Sequence, residues 1–135
     1  MKTLLSILFF SLIFLTAISL HAKDIYTVYN EKGNKVKEVV QIDEKNHKVV
    51  KYHENGAIEE QGYYKNGEKN ACWLRYDEKG NCISRVYFDK GVRTGVWNIQ
   101  AYNGTYSYQI AYEDDKAIQI KKIAVSGKVL EEIEP

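Results

Sequence analysis

Two consecutive stretches that share one glycine decide the fold: Gly56–Gly80 reads GAIEEQGYYKNGEKNACWLRYDEKG, and Gly80–Gly104 reads GNCISRVYFDKGVRTGVWNIQAYNG. Each stretch has a turn-forming glycine 11 residues after its start and the next one 13 residues later. An Asn-Gly or Lys-Gly pair between apolar runs supplies the positive φ that a short hairpin loop needs. The repeating unit is therefore 24 residues long, the sum of the two intervals, and it contains two strands and two turns.

The same spacing continues outward in both directions. Turn-forming residues recur at 43–46, 113–116 and 125–128, and Tyr29-x-x-x-Gly33 repeats the pattern of Tyr52-x-x-x-Gly56 at an interval one residue shorter than the period. The chain after residue 22 contains many Val, Ile and Tyr residues but only two Leu, a bias typical of strands. We therefore predict an all-β fold, an antiparallel β-meander of about eight to ten strands in one elongated sheet.

Side chains that recur at the period of the repeat assign the two faces of this sheet. Three ladders lie an even number of positions apart and share one face, which we expect to be buried. They are Tyr64, Phe88 and Tyr112; Gly62, Val86 and Ile110; and Ile58, Cys82 and Tyr106. The opposite face is mainly polar, but Tyr63, Tyr87 and Ile83 interrupt it.

These motifs resemble the variant MORN repeat family. The resemblance rests on Tyr52-His-Glu-Asn-Gly56, Gly62-Tyr-Tyr-Lys-Asn-Gly67, Trp73 and Gly95-Val-Trp97, and it is clearest over residues 48–104. It implies a β-repeat domain over residues 23–135. It leaves the function open, because such repeats serve as scaffolds, as membrane-associated modules and as antitoxins.

Residues 1–22 have the pattern of a secretory signal peptide. Lys2 precedes an uncharged, mostly apolar run from Leu4 to Leu20, and Ala22 is a suitable last residue before Lys23. We predict a signal peptide over 1–22 and a secreted or periplasmic protein. The alternative is an uncleaved anchor, and membrane association is expected only in that case. The remaining chain has 18 basic and 18 acidic residues, a balance that argues against nucleic acid as a partner.

No motif for catalysis, cofactor binding or metal binding stands out. The serines lack the Gly-x-Ser-x-Gly pattern, the glycines lie singly in separate turns, and adjacent pairs such as Glu131-Glu132 point to opposite faces of a strand. Glu113-Asp114-Asp115 matches no calcium loop and is expected to be a solvated turn. Cys72 and Cys82 flank the Glu78-Lys79-Gly80 turn. If residues 76 and 81 pair, the two cysteines are about 10 Å out of register, which favours two buried free thiols over a disulfide.

Exposed aromatic residues are the remaining candidates for function. Tyr63 and Tyr87 recur on the polar face, and Arg85 lies two residues from Tyr87 on the same side of its strand. We predict a partner-binding strip at Tyr63, Arg85 and Tyr87; the alternative is cross-strand pairing that stiffens the sheet. The leading hypothesis is an exported, non-enzymatic repeat module that binds a protein or another cell-envelope component. The alternatives are an antitoxin or immunity protein, and a small envelope enzyme if a cleft forms between the repeats and the chain ends.

Overall fold

A computed structural model describes residues 23–135, and these residues form ten β-strands and no helix. The strands are β1 (Lys23–Tyr29), β2 (Lys35–Gln41), β3 (Asn46–Tyr52), β4 (Ile58–Lys65), β5 (Glu68–Tyr76), β6 (Cys82–Asp89), β7 (Val92–Gln100), β8 (Tyr106–Glu113), β9 (Lys116–Ala124) and β10 (Val129–Ile133). Their order in the sheet is their order in the chain, and neighbours pair antiparallel. The predicted all-β meander in one open sheet is confirmed. The predicted signal peptide, residues 1–22, lies outside the described residues.

Short and longer turns join the strands of the sheet. At one end, two-residue turns with positive φ at both residues join β4 to β5, β6 to β7 and β8 to β9; they are Asn66-Gly67, Lys90-Gly91 and Asp114-Asp115. Such turns match the right-handed twist of a hairpin. Longer turns lie at the other end, and in one of them Oδ1 of Asp77 accepts hydrogen bonds from the N–H groups of Lys79 and Asn81. The pKa of Asp77 is lowered, mainly by the side-chain hydrogen bond from Asn81.

One residue from each strand forms a continuous row across the sheet. We call it the central row, and its members, from β1 to β10, are Tyr26, Val39, Val49, Gly62, Trp73, Val86, Trp97, Ile110, Ile120 and Ile133. We call the face of the sheet that carries this row the tryptophan face. Trp73 is 3% exposed and is the most buried side chain of the row.

Aromatic ladders flank the central row on the tryptophan face, as the spacing predicted. The ring of Tyr64 lies 5.1 Å from that of Trp73, at an interplanar angle of 89°. Trp97 lies between Phe88 and Tyr112, with centroid distances of 5.2 and 4.6 Å. Each tryptophan therefore packs edge-on or tilted against residues of a neighbouring ladder, arrangements that aromatic pairs prefer.

A β-bulge precedes each tryptophan. Gln61 and Tyr63 in β4 pair with Leu74 and Asn70 in β5, so three residues of β5 lie opposite Gly62. The same irregularity recurs between β6 and β7, opposite Val86.

The bulged backbone adopts positive φ once in each copy. The residue is Ala71 (φ 58°) in β5 and Gly95 (φ 65°) in β7, at equivalent positions of consecutive repeats.

The structure corrects two expectations about burial. The third ladder is not buried as a whole: Ile58 and Cys82 lie at strand ends beside register shifts and are exposed, whereas Tyr106 is half-buried. The polar face is not solvated throughout, because Val50, paired with Glu38 and Gln61, is only 6% exposed.

The cysteine prediction is corrected in part. Tyr76 pairs with Cys82 rather than with residue 81, and Cys72 pairs with Tyr87. The two cysteines are therefore five residues out of register, roughly 17 Å along the strand, and both are free thiols. Cys72 is half-buried and Cys82 is exposed, so the expected burial of both is wrong for Cys82.

Candidate functional site

The three predicted binding residues lie on two strands that flank β5. Tyr63 in β4 pairs with Asn70, whereas Arg85 and Tyr87 in β6 pair with Leu74 and Cys72. All three side chains lie on the face opposite the tryptophan face, because they alternate with central-row residues along their strands. Two strand spacings separate β4 from β6, about 10 Å. The structure thus brings together Tyr63, Arg85 and Tyr87, which we call the Tyr–Arg strip.

The strip differs from the core in exposure and in bonding. Tyr63 is 40% exposed, Arg85 is exposed and Tyr87 is half-buried. Among residues 23–135, Arg85 has no hydrogen-bond or ion-pair partner. Its neighbours in register, Leu74 and Asn98, carry no charge. The positive charge of Arg85 is therefore available to an anionic group from outside.

The backbone of each strip tyrosine is fixed by a tryptophan. The indole N–H of Trp73 donates to the carbonyl oxygen of Tyr63 at 3.1 Å, and that of Trp97 donates to the carbonyl oxygen of Tyr87 at 2.9 Å. Both carbonyl groups lie beside a bulge, where the ladder is locally disrupted, and each gains a hydrogen bond from an indole. The strip is thus anchored to the best-packed part of the molecule.

The side chains of the two tyrosines have different surroundings. Neither ring contacts another aromatic ring in the described part of the chain, and such contacts are what cross-strand aromatic pairing would require. The side chain of Tyr87 packs over Gly95, where an added β-carbon would meet three of its carbon atoms at 3.8–3.9 Å. Tyr63 is the freer of the two side chains.

Arg85 also lines a groove of about 640 Å³, together with Ile83, Asn98, Ser107 and Val125. Another groove, of about 480 Å³, lies on the tryptophan face over Val39 and Val49. Lys37, His47 and Lys51 line it, but no carboxylate, serine or cysteine does. Lys51 forms an ion pair of 2.6 Å with Glu60, which raises the pKa of the Lys51 ammonium.

Two cations on the tryptophan face were missed by the sequence reasoning. Nζ of Lys69 lies 4.1 Å from the centroid of the Trp73 ring and 5.1 Å from that of Phe88. At the equivalent position of the next repeat, Cζ of Arg93 lies 4.7 Å from the centroid of Tyr112. These cation–π contacts cover the aromatic ladders in place of a second layer. The recurrence of a basic residue at the repeat period was the signal that could have revealed them.

The groups considered for metal or catalytic chemistry are dispersed. Within residues 23–135, no three His, Cys, Asp or Glu side chains converge on a common point. Asp115, in the acidic segment near residue 114, instead accepts a hydrogen bond of 2.6 Å from Nε of Arg93. This bond lowers the pKa of Asp115. The described residues also include no helix that is long and apolar enough to cross a membrane.

Comparison with protein-family models and with curated proteins gave no match for this chain.

Proposed function

We propose that the protein is a non-enzymatic repeat module, exported to the periplasm or secreted, that binds a macromolecular partner through the Tyr–Arg strip. The partner is a protein or another component of the cell envelope. The observation that carries the proposal is Arg85, an exposed and unpaired cation that lies two residues from Tyr87 on the face that also carries Tyr63. Tyrosine and arginine are the residue types that contribute most often to binding hot spots.

The chemistry of the strip defines what the partner must present. Two tyrosines on strands about 10 Å apart offer flat apolar surfaces, and the guanidinium group of Arg85 on the same face favours a carboxylate or phosphate. A single layer of strands offers a broad surface for a large partner rather than an enclosed cavity for a small one. The 24-residue repeat and the Tyr-x-x-x-Gly turns support a variant MORN repeat as the kind of scaffold.

The test is capture from a cell-envelope extract with the purified protein as bait, followed by mass spectrometry. We expect a partner that the double variant Tyr63→Ala/Tyr87→Ala no longer retains. Arg85→Glu should weaken binding of the same partner at least tenfold, because it replaces the attractive charge with a repulsive one. Tyr102→Ala is the matched control, because Tyr102 is fully exposed in a turn away from the strip, and it should bind normally.

Thermal unfolding separates binding from folding. The double variant should lose about 1 kcal/mol of unfolding free energy, as is typical of partly exposed positions. The proposal is wrong if the double variant still retains the partner. It is also wrong if binding is lost only in step with the stability of the sheet, which would indicate a structural role for the two tyrosines.

A further inference from the structure

The two edges of the described sheet are complementary to each other. Strands of odd and even number alternate along the repeat, and every even strand from β2 to β8 is followed in the sheet by an odd one. The edge at one side is β1, an odd strand, and the edge at the other side is β10, an even strand. A second copy that places its β1 beside β10 would therefore continue the alternation without a break.

The central row continues across such a junction. It begins at Tyr26 in β1 and ends at Ile133 in β10, since Tyr26 pairs with Val39 and Ile133 pairs with Ile120. Each even strand faces the next odd strand across this row, for example Ile110 across from Ile120. If β10 pairs with β1 of the second copy so that the central row stays aligned, Ile133 lies opposite Tyr26 of that copy. The two side chains are 47% and 46% exposed, so each has a free side for the contact.

Both edges expose apolar side chains beyond the central row. All five residues of β10 are exposed, including Val129 and Leu130, at 45% and 52%. On β1, Val28 and Tyr29 are 41% and 59% exposed. An open edge with apolar side chains and unpaired backbone groups is a template for another strand. Soluble proteins usually block such an edge, and a second copy would cover it here.

Charge adds to the fit. With the central row aligned in this way, Glu131 lies opposite Val28 of the second copy. Within each chain, Glu131 pairs with Lys122 and Val28 pairs with Lys37. The ammonium group of Lys37 leans toward β1, 5.6 Å from the centroid of the Tyr26 ring. Among the described residues, Glu131 has no ion-pair partner, so its carboxylate can attract this lysine.

We infer that copies of the chain associate head to tail, with β10 of one copy pairing antiparallel with β1 of the next. The two surfaces in this contact are different, so each added copy leaves a β1 edge and a β10 edge free, and the association extends the sheet into a linear assembly. The inference is independent of the Tyr–Arg strip, which lies on β4 and β6 away from both edges.

The experiment is sedimentation of the purified protein over concentrations from about 10 μM to 1 mM, a range suited to an interface of one strand pair. We expect the mean mass to rise steadily with concentration and to pass the mass of a dimer. A protein that stays monomeric, or that stops at a dimer, contradicts the inference.

Two single substitutions test the direction of the contact. Tyr26→Lys blocks the β1 edge, and Ile133→Lys blocks the β10 edge; both side chains are half-exposed, so the fold should persist and circular dichroism should be unchanged. Each variant alone should be monomeric. An equimolar mixture should form a dimer and grow no further, because one free β10 edge meets one free β1 edge. Tyr102→Lys, a turn substitution, should assemble like the unmodified protein.

The variants also identify the competing arrangements. Dimers of Tyr26→Lys alone would indicate β10 pairing with β10, and dimers of Ile133→Lys alone would indicate β1 pairing with β1. Either result, or a mixture that stays monomeric, overturns the head-to-tail arrangement.

Discussion

Gly62 lies directly beneath the indole ring of Trp73. A β-carbon at this position would come within 2.1–2.6 Å of three atoms of the ring, far inside van der Waals contact. The absence of a side chain at Gly62 is what lets Trp73 become the most buried residue of the central row. In the next copy Val86 occupies the equivalent position, and Trp97 is correspondingly less buried.

We predict that Gly62→Ala lowers the free energy of unfolding by about 3 kcal/mol, because the ring must move or the strands must separate. Urea denaturation gives the value directly. Val86→Ala is the matched control, because it removes atoms at the equivalent position instead of adding one. It should cost less, about 1 kcal/mol. Equal stability of Gly62→Ala and the unmodified protein would mean that the indole does not lie on Gly62.

At the scale of the element, the β-bulge is the feature that positions the tryptophans of β5 and β7. It inserts extra residues before each tryptophan, and the indole N–H then donates to the carbonyl oxygen of a tyrosine in the preceding strand. The bulge needs one residue at positive φ. Gly95 adopts that conformation without a steric penalty, whereas Ala71 adopts it with its β-carbon crowded against the backbone.

The two repeats therefore predict that exchanging alanine and glycine at this position changes the free energy of unfolding in opposite directions. Ala71→Gly should raise the free energy of unfolding by about 1 kcal/mol, since it removes the strain of positive φ. Gly95→Ala should lower it by about the same amount. The space around Gly95 allows a β-carbon, with its nearest neighbour at 3.8 Å, so this cost arises from the backbone alone. Thermal melts of the two variants beside the unmodified protein provide the measurement. A change of the same sign in both would show that φ at these positions does not control stability.

The elements also show what could be read from the sequence and what could not. Turn glycines at a regular spacing revealed the strands, and even spacings placed Tyr64, Phe88 and Tyr112 on one face, because neither inference requires knowledge of packing. The bulges were not foreseen, since Ala71 gives no local sign of positive φ. A separate register shift, between Arg75 and Tyr76, lies at the end of β5 beside Cys82.

That shift explains why the prediction for Cys82 failed. For the binding strip, the sequence predicted the position of Tyr63, Arg85 and Tyr87 on one face. It could not predict that Arg85 lacks a partner, because that depends on which side chains reach it across the sheet.

At the scale of the whole molecule, the repeat is a structural unit that can be deleted as a whole. Gly67 and Gly91 adopt nearly the same φ, 82° and 81°, and each immediately precedes the first residue of an odd strand. Removing residues 68–91 joins Gly67 to Val92 and deletes two strands, β5 and β6. Because the deletion is one full repeat, β4 meets β7 in the register that it now has with β5, and Trp97 lies over Gly62.

We predict that this full-repeat deletion yields a folded eight-stranded sheet with a strand-type circular dichroism spectrum and one cooperative thermal transition. The control deletion removes residues 68–79, half a repeat. It should fail to fold, because it reverses the direction of every later strand relative to the first four. A folded half-repeat variant, or an unfolded full-repeat variant, would contradict the proposal that the repeat is the structural unit.

Each strand of this sheet pairs only with its neighbours in the chain, and that arrangement determines how the molecule acquires its structure. No pairing requires the closure of a long loop, so the entropic barrier that slows most β-proteins is small here. Any hairpin can nucleate the fold, and its neighbours can then add one at a time, as a zipper closes. The first strands to leave a ribosome or a translocation channel can therefore begin to fold before the rest of the chain has left it.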